Sequence, residues 1–159
     1  MSEEKFVTIP SVNIEPVSVS EFFAHEVDPL IDEYRIECAN EAFGLAPPSR
    51  SYYESLEKQG MLFPAIAKTI EGKVVGFVVV VVYAVPHFEG KTMATIESIF
   101  LSREYRKGRA GLALIRWAQR TAQNEGTVGV YLSTPVGSRL EKLASLIATK
   151  TNSVFFLGA

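Results

Sequence analysis

The sequence has few of the residues that build metal sites or disulfide frameworks. Its 159 residues include one cysteine, Cys38, and two histidines, His25 and His87. A single thiol cannot form an intramolecular disulfide, and so small a number of thiol and imidazole groups falls short of a typical zinc ligand set. We therefore expect no bound metal and a reducing, cytoplasmic setting.

An excess of charge of one sign and long hydrophobic runs are also lacking. The 16 Lys and Arg residues and 18 Asp and Glu residues give a formal net charge of −2, which leaves no overall basic field to attract nucleic acid. The longest apolar run, 74–85, contains Gly76 and is shorter than the roughly 20 residues that a membrane-spanning helix needs. Glu3 and Glu4 lie where a secretory signal carries basic residues. We expect no general nucleic-acid binding, no membrane association and no targeting segment.

The composition is that of an ordinary globular domain. Hydrophobic residues make up 47% of the chain and charged residues 21%, which is enough apolar material for one core. No internal repeat and no linker rich in Pro, Gly or Ser divides the sequence. We predict a single domain over 1–159, with a loose lead-in at 1–11.

Apolar periodicity predicts an alternation of strands and helices. In order, it predicts a strand, two helical segments, a three-strand meander, a helix, a strand, a helix and a terminal strand, at 12–19, 28–44, 51–60, 62–70, 73–85, 92–101, 111–126, 128–133, 138–147 and 153–157. The run 74–85 has no polar alternation, so we place it in the centre of a sheet with helices on both faces. The predicted fold class is mixed α/β.

The most informative segment is the basic loop 102–111 between a predicted strand and a predicted helix. It contains Arg106, Lys107 and Arg109. A helix start has unpaired main-chain N–H groups and a partial positive charge, so it favours an anion, and these side chains add countercharge. The pattern indicates a phosphate-binding loop, although a solvated basic surface has the same composition.

Two glycines of this loop, Gly108 and Gly111, allow close approach of the main chain to a ligand, and we expect a branched side chain at position 111 to crowd the helix start. The loop has no Gly-Lys-Ser/Thr ending and no G-x-G-x-x-G pattern. Neither the usual nucleoside triphosphate motif nor the dinucleotide motif is therefore present.

The stretch Arg106-Lys107-Gly108-Arg109-Ala110-Gly111 resembles the Arg/Gln-x-x-Gly-x-Gly/Ala signature of the GNAT family of N-acetyltransferases. The first and last positions match, whereas Arg109 stands where the family has glycine. The resemblance covers about 62–133 in element order and is greatest to small members encoded by bacteriophages. It implies a mixed, mostly antiparallel central sheet flanked by helices on both faces.

The resemblance also implies acetyl-coenzyme A as cosubstrate and a primary amine of unknown identity as acceptor. Cosubstrate binding is implied for main-chain groups of the strand and of the loop, at Ile99, Phe100 and Leu101 and at Arg106, Lys107, Gly108, Arg109, Ala110, Gly111 and Leu112. A bacterial cytoplasm is the implied location, and a homodimer is compatible with the fold. Tyr34, Tyr52 and Tyr53 border the acceptor groove if the resemblance holds, but aromatic residues at such spacing are also typical of a core.

Glu97 is the candidate general base that takes a proton from the acceptor amine. It matches a position where some family members hold their base, and strand alternation predicts that it shares a face with Ile99 and Leu101. An ion pair or an exposed rim charge would equally account for it. His87 and Glu89, in the preceding loop, are alternatives.

The family's usual general acid is a tyrosine in the last helix, and the stretch 138–152 contains none. Ser138 is a catalytic candidate there, with water as an alternative, while its pattern is also typical of a helix N-cap. Because of Arg109 and the missing tyrosine, a second hypothesis stays open: a catalytically silent domain of this fold that binds coenzyme A or a host protein.

Overall fold

The computed structural model describes residues 11–24, 26–39 and 42–158. The elements in chain order are β1 (Val12–Pro16), α1 (Val19–Phe22), α2 (Asp28–Glu37), α3 (Arg50–Lys58), β2 (Leu62–Thr69), β3 (Val74–Ala84), β4 (Thr92–Leu101), α4 (Ala110–Asn124), β5 (Val130–Leu132) and α5 (Arg139–Ile147). A single 3₁₀ turn at Arg103–Tyr105 lies between β4 and α4. Of the predicted lead-in at 1–11, only Ser11 is among the described residues. His25 lies outside them.

The strands form one sheet in the order β1-β2-β3-β4-β5. The first four strands pair antiparallel with their neighbours, and β5 pairs parallel with β4. This confirms the mixed, mostly antiparallel sheet. The β4–β5 pairing covers Ala94–Ile96 alone, so the rest of β4, up to Leu101, has no strand beside it on that side in the described part of the chain.

The predicted central strand is confirmed and divides two core layers. Phe77 and Val79 of β3 face α1, α2 and α3, whereas Val78 and Val80 face α4. All four side chains are 0% exposed. Both faces of β3 are covered, which accounts for a run of valines without polar alternation.

The starts of α2 to α5 lie within one residue of the predicted ones. Ser18 caps α1 through a capping box with Glu21, which converts the end of the predicted first strand into a short helix. The N-cap of α2 is Val27, and the side chain of Ser49 caps α3. Shifts of one residue are within the usual uncertainty of helix boundaries.

The predicted terminal strand at 153–157 is wrong, because this segment has no regular secondary structure. Val154, Phe155 and Leu157 are 84–91% exposed. A β-prone sequence forms a strand only against a neighbouring strand, and this segment has no such neighbour among the described residues. The strand predicted at 128–133 also forms over a shorter range, Val130–Leu132.

No helix in the described ranges has the length and apolar character needed to cross a membrane.

Gly76 allows β3 to lie close to β4. A Cβ atom at this position would be 2.6 Å from the Phe100 carbonyl oxygen and 2.8 Å from Leu101 Cδ1. We predict that Gly76→Ala lowers the free energy of unfolding by about 1–3 kcal/mol, because the backbone carbonyl cannot move without disturbing the strand pair.

Chemical denaturation of Gly76→Ala and Gly111→Ala checks this prediction. A Cβ at Gly111 meets no atom within 4 Å, so the control should keep its stability or gain up to about 1 kcal/mol of helix propensity. Equal stability of the two variants would contradict the close approach of β3 and β4.

Candidate active site

Glu97 is an extra residue in the pairing of β4 with β3. Val79 pairs with Ser98 and Val80 pairs with Ile96, so Glu97 has no partner on β3. Such a bulge shifts the alternation of side chains by one position. Ile96 and Ile99 therefore lie on the same face, toward α4, although they are three residues apart.

The prediction that Glu97 shares a face with Ile99 and Leu101 is wrong for this reason. Those two residues pack on the α4 side of the sheet. The Glu97 carboxylate instead accepts a 2.6 Å hydrogen bond from the hydroxyl of Tyr53, which belongs to α3 on the opposite face.

Tyr53 is a buried residue whose hydroxyl reaches the edge of the core. The side chain is 7% exposed, and its ring centroid lies 5.6 Å from that of Phe23. Burial raises the pKa of Tyr53 above its usual value, and the charge and hydrogen bond of Glu97 act in the same direction. The neighbouring Ser98 hydroxyl lowers it to a smaller extent. Tyr53 therefore keeps its proton and remains a hydrogen-bond donor.

Tyr34 of α2 is the second tyrosine near Glu97. Burial raises its pKa to about 12, with smaller contributions from Cys38 and Glu97. Glu97 itself is exposed, and none of the cationic side chains in the described ranges forms an ion pair with it. The site thus presents a carboxylate without a cation partner beside two tyrosines that stay protonated.

The free edge of β4 presents main-chain groups beyond the point where β5 ends. The N–H of Ser102 donates to the Val75 carbonyl on β3. Because main-chain groups alternate along a strand, those of Phe100 also face β3, whereas those of Ile99 and Leu101 face away from it. Of the three predicted strand contacts, Ile99 and Leu101 are therefore placed to meet an extended ligand with their backbone, and Phe100 is not.

The Arg106 side chain, expected to add countercharge for a phosphate, has partners within the protein. Its Nε donates to the Leu101 carbonyl, and its guanidinium carbon lies 5.1 Å from the Phe100 ring centroid. Its terminal nitrogen is 2.9 Å from the Glu37 carboxylate, which also accepts a 3.0 Å hydrogen bond from Arg103. Arg106 and Arg103 therefore share the negative charge of Glu37.

Glu37 connects the end of α2 to the basic loop. Burial acts to raise its pKa, but the hydrogen bonds and charges of Arg106 and Arg103 outweigh burial and hold the pKa below its usual value. Sequence reasoning did not single out Glu37. No local signal could have identified it, since 69 positions separate it from Arg106.

The start of α4 has main-chain N–H groups and charged side chains that have no partner in the described ranges. Ala113 donates to the Arg109 carbonyl, whereas the N–H groups of Ala110, Gly111 and Leu112 have no acceptor among the described residues. A Cβ placed on Gly111 meets no atom within 4 Å outside its chain neighbours and its own helix, so there is space beside the helix start. The crowding expected of a branched side chain at this position stays a prediction.

Lys107 and Arg109 are the other cations of this loop. Both are exposed, and neither forms an ion pair within the described ranges. Arg109 is the N-cap of α4, and its side chain forms no capping hydrogen bond. A phosphate at the helix start would therefore meet N–H groups, open space and two uncompensated charges.

The other catalytic candidates are Ser138, His87 and Glu89. The Ser138 hydroxyl accepts a 3.1 Å hydrogen bond from the Glu141 N–H and caps α5, as its pattern predicted. His87 and Glu89 are exposed in the loop before β4. That loop meets β4 at Thr92, about 16 Å along the strand from Glu97.

Comparison with protein families identifies one match. The model described as "Acetyltransferase (GNAT) family" covers residues 28–139. A search of curated proteins finds no match.

Solved structures with the same fold include several acetyltransferases. The chain is 23% identical to a ribosomal-protein-alanine N-acetyltransferase from Brucella melitensis biovar Abortus 2308, with a TM-score of 0.70 and coverage of 94% of this chain and 99% of that one. It is 18% identical to an aminoglycoside acetyltransferase from an uncultured soil metagenomic sample, in complex with sisomicin, at a TM-score of 0.71 and coverages of 93% and 95%. Aminoglycoside N-acetyltransferase AAC(6')-Iy in complex with CoA is 18% identical to the chain, with a TM-score of 0.69 and coverage of 94% of this chain and 95% of that one. At these identities the likeness shows the fold.

The bridge from Glu37 to the basic loop predicts a pH-dependent contribution to stability. Because the carboxyl pKa is lowered in the folded protein, the contribution is complete above its ordinary value of 4.5 and is lost as the pH falls through the folded value. We predict that Glu37→Gln lowers the free energy of unfolding by about 1 kcal/mol at pH 7, and that this difference disappears as the pH falls below the lowered pKa of the folded protein.

Urea denaturation at several pH values measures the difference. Asp32→Asn is the matched control, since it removes a more exposed ion pair with Arg35 from the same helix and should cost less than about 0.5 kcal/mol. A cost for Glu37→Gln that stays constant with pH would contradict the ionic nature of the bridge.

Proposed function

The chain belongs to the acetyltransferase (GNAT) family, and on this basis we propose that it transfers an acetyl group from acetyl-coenzyme A to a primary amine, with Glu97 as general base. The observation that carries the proposal is the position of Glu97 on a bulge, without a cation partner among the described residues, beside the open edge of β4. Bulges frequently redirect a side chain next to an active site.

The residues around the open edge fit acetyl-coenzyme A, which is the acetyl donor of this family. Main-chain groups of Ile99 and Leu101 would pair with the amides of an extended arm; the Leu101 carbonyl is already taken by Arg106, so this residue offers its N–H. The N–H groups at 110–112 would bind the phosphates, with countercharge from Lys107 and Arg109. Arg109, where the family signature has glycine, would then contribute charge rather than block the loop.

The bound cosubstrate supplies a thioester, whose acetyl carbon accepts the amine nitrogen. Glu97 takes the proton that the amine must lose before its nitrogen can form the new C–N bond. The C–S bond breaks and the sulfur leaves as a thiolate, a better leaving group than an alkoxide. We assign no protein acid to that thiolate, since Ser138 has the N-cap role. The nitrogen loses a second proton once the C–N bond has formed, and this proton passes through water to the sulfur to give the free thiol of coenzyme A.

A second candidate function is that of a binding domain without turnover. It is favoured by the absence of tyrosine from α5 and by the use of the Ser138 hydroxyl as the N-cap of α5. Such a domain would bind coenzyme A through the same loop and would use Glu97 only as a surface charge. Measurement of turnover separates the two functions, whereas cosubstrate binding does not.

We further propose a cytoplasmic location, in a bacterial host if the resemblance to phage-encoded members reflects the origin of the chain. The single cysteine, which is not in a disulfide, is compatible with reducing conditions. We also propose that the chain forms a homodimer. Because its net charge is −2, we propose that it does not bind nucleic acid in general.

The loop charges predict the affinity for coenzyme A. Lys107→Ala and Arg109→Ala should each weaken binding by about 1–2 kcal/mol, and more at low salt, because each removes a charge that has no other partner in the described ranges. Isothermal titration calorimetry with coenzyme A measures the effect. Arg120→Ala, which removes an exposed charge from the middle of the same helix, is the control and should bind normally. Equal affinity of all three variants would refute the phosphate loop.

The base assignment predicts a loss of turnover without a loss of binding. Acetyl-coenzyme A consumption is followed with a panel of primary amines: sisomicin, a peptide with N-terminal alanine, spermidine and benzylamine. Glu97→Gln should lower turnover about 100-fold or more, because the neutral amide cannot accept the proton, and should leave the affinity for acetyl-coenzyme A within about 2-fold.

Glu125→Gln removes an exposed carboxylate from the far end of α4 and serves as the control. If Glu97→Gln turned over as fast as wild type, the base would be water, Glu89 or His87. If the wild-type protein bound acetyl-coenzyme A and acetylated no amine of the panel, the binding-domain function would be favoured.

A further inference from the structure

We propose that Tyr53 is a positioning residue that holds the Glu97 carboxylate in one orientation for proton transfer. This inference rests on the proposed function, since it gives Tyr53 a role only if Glu97 is the base. Its basis is the 2.6 Å hydrogen bond that joins the hydroxyl of a buried tyrosine on α3 to the bulge residue of β4.

The Tyr53 ring is held by its surroundings. Phe22 and Phe23, at the end of α1, lie with their ring centroids 6.1 and 5.6 Å from that of Tyr53. Phe22 is 2% exposed and packs in turn against Phe77 of the central strand, with ring centroids 5.3 Å apart. The phenol oxygen is therefore placed by the core, and its position does not depend on a flexible surface side chain.

Glu97 needs such a partner because nothing else described orients it. Its side chain is exposed, its backbone lies outside the β3 ladder, and no described cation pairs with it. A free glutamate side chain samples many rotamers, and ordering it costs up to about 2 kcal/mol of entropy. A hydrogen bond from a fixed donor removes most of this freedom before the substrate arrives.

The hydrogen bond also leaves one carboxylate oxygen available. Tyr53 donates to Oε2, and no donor in the described ranges is bound to Oε1. A distance of 2.6 Å is typical of an O–H to carboxylate hydrogen bond, which is stronger than a neutral one. We assign Oε1 to the acceptor amine. Tyr53 thus divides the carboxylate into an anchored oxygen and a reactive oxygen.

A double-mutant cycle on turnover tests this role. Tyr53→Phe, Glu97→Ala and the double variant are compared with wild type, using acetyl-coenzyme A and the amine of the panel (sisomicin, alanine peptide, spermidine or benzylamine) that wild type acetylates fastest. Tyr53→Phe keeps the packed ring and should lower kcat about 5- to 20-fold, with the KM for acetyl-coenzyme A unchanged within about 2-fold. In the Glu97→Ala background the same substitution should change kcat less than about 2-fold, because no carboxylate remains to be oriented.

Tyr83→Phe is the matched control. Tyr83 is partly buried on β3, and its hydroxyl has no hydrogen bond in the described ranges, so its loss should leave kcat unchanged. A tyrosine that served only packing or stability would lower kcat by the same factor in both backgrounds, and this additive result would overturn the proposal.

A second double-mutant cycle, on urea unfolding of the same four proteins, distinguishes failure of the Tyr53 proposal from failure of the proposed function. Tyr53→Phe should lower the folding equilibrium constant about 5-fold when Glu97 is present and less than 2-fold in Glu97→Ala. Equal effects would show that the pair does not interact and would overturn the proposal even if Glu97 is the base. Coupling in unfolding without any wild-type turnover would instead refute the proposed function, and the positioning role with it.

Discussion

An extra residue in β4 interrupts the pairing with β3, and the arrangement of the site depends on that interruption. Without it, Glu97 would follow Ile99 and Leu101 onto the face covered by α4. With it, the carboxylate lies on the face of Tyr53 and Tyr34, while Ile99 and Leu101 still pack toward α4. Glu97, the proposed base, and the strand edge that would bind the cosubstrate are thus adjacent in sequence but directed differently.

The positively charged residues of the loop before α4 fall into two groups. Arg106 is bound to Glu37 and to the Leu101 carbonyl, so its side chain connects α2 to the end of β4. Lys107 and Arg109 are left exposed at the helix start. Arg106 therefore has partners within the protein, whereas Lys107 and Arg109 lie exposed where the proposed phosphate would bind. Composition alone cannot distinguish these roles, since all three residues carry the same charge.

The elements that could be predicted from the sequence are those with strong local signals. The hairpin of β2 and β3 follows from two apolar runs around Glu71-Gly72, and the central place of β3 follows from its unbroken valines. The segment 153–157 has equally strong β-forming residues, yet it forms no strand. Its failure has a physical cause, because strand formation requires hydrogen bonds to a neighbour that local sequence does not specify.

The sequence by itself determined the order of elements, the basic loop at the start of α4 and the candidacy of Glu97, because each depends on residues close together in the chain. The tertiary structure decided the face on which Glu97 lies, its contact with Tyr53 and the pairing of Arg106 with Glu37. The face on which Glu97 lies depends on a one-residue bulge, which reverses side-chain alternation without changing the local apolar pattern. The other two join residues 44 and 69 positions apart, which meet only when the helices pack on the sheet.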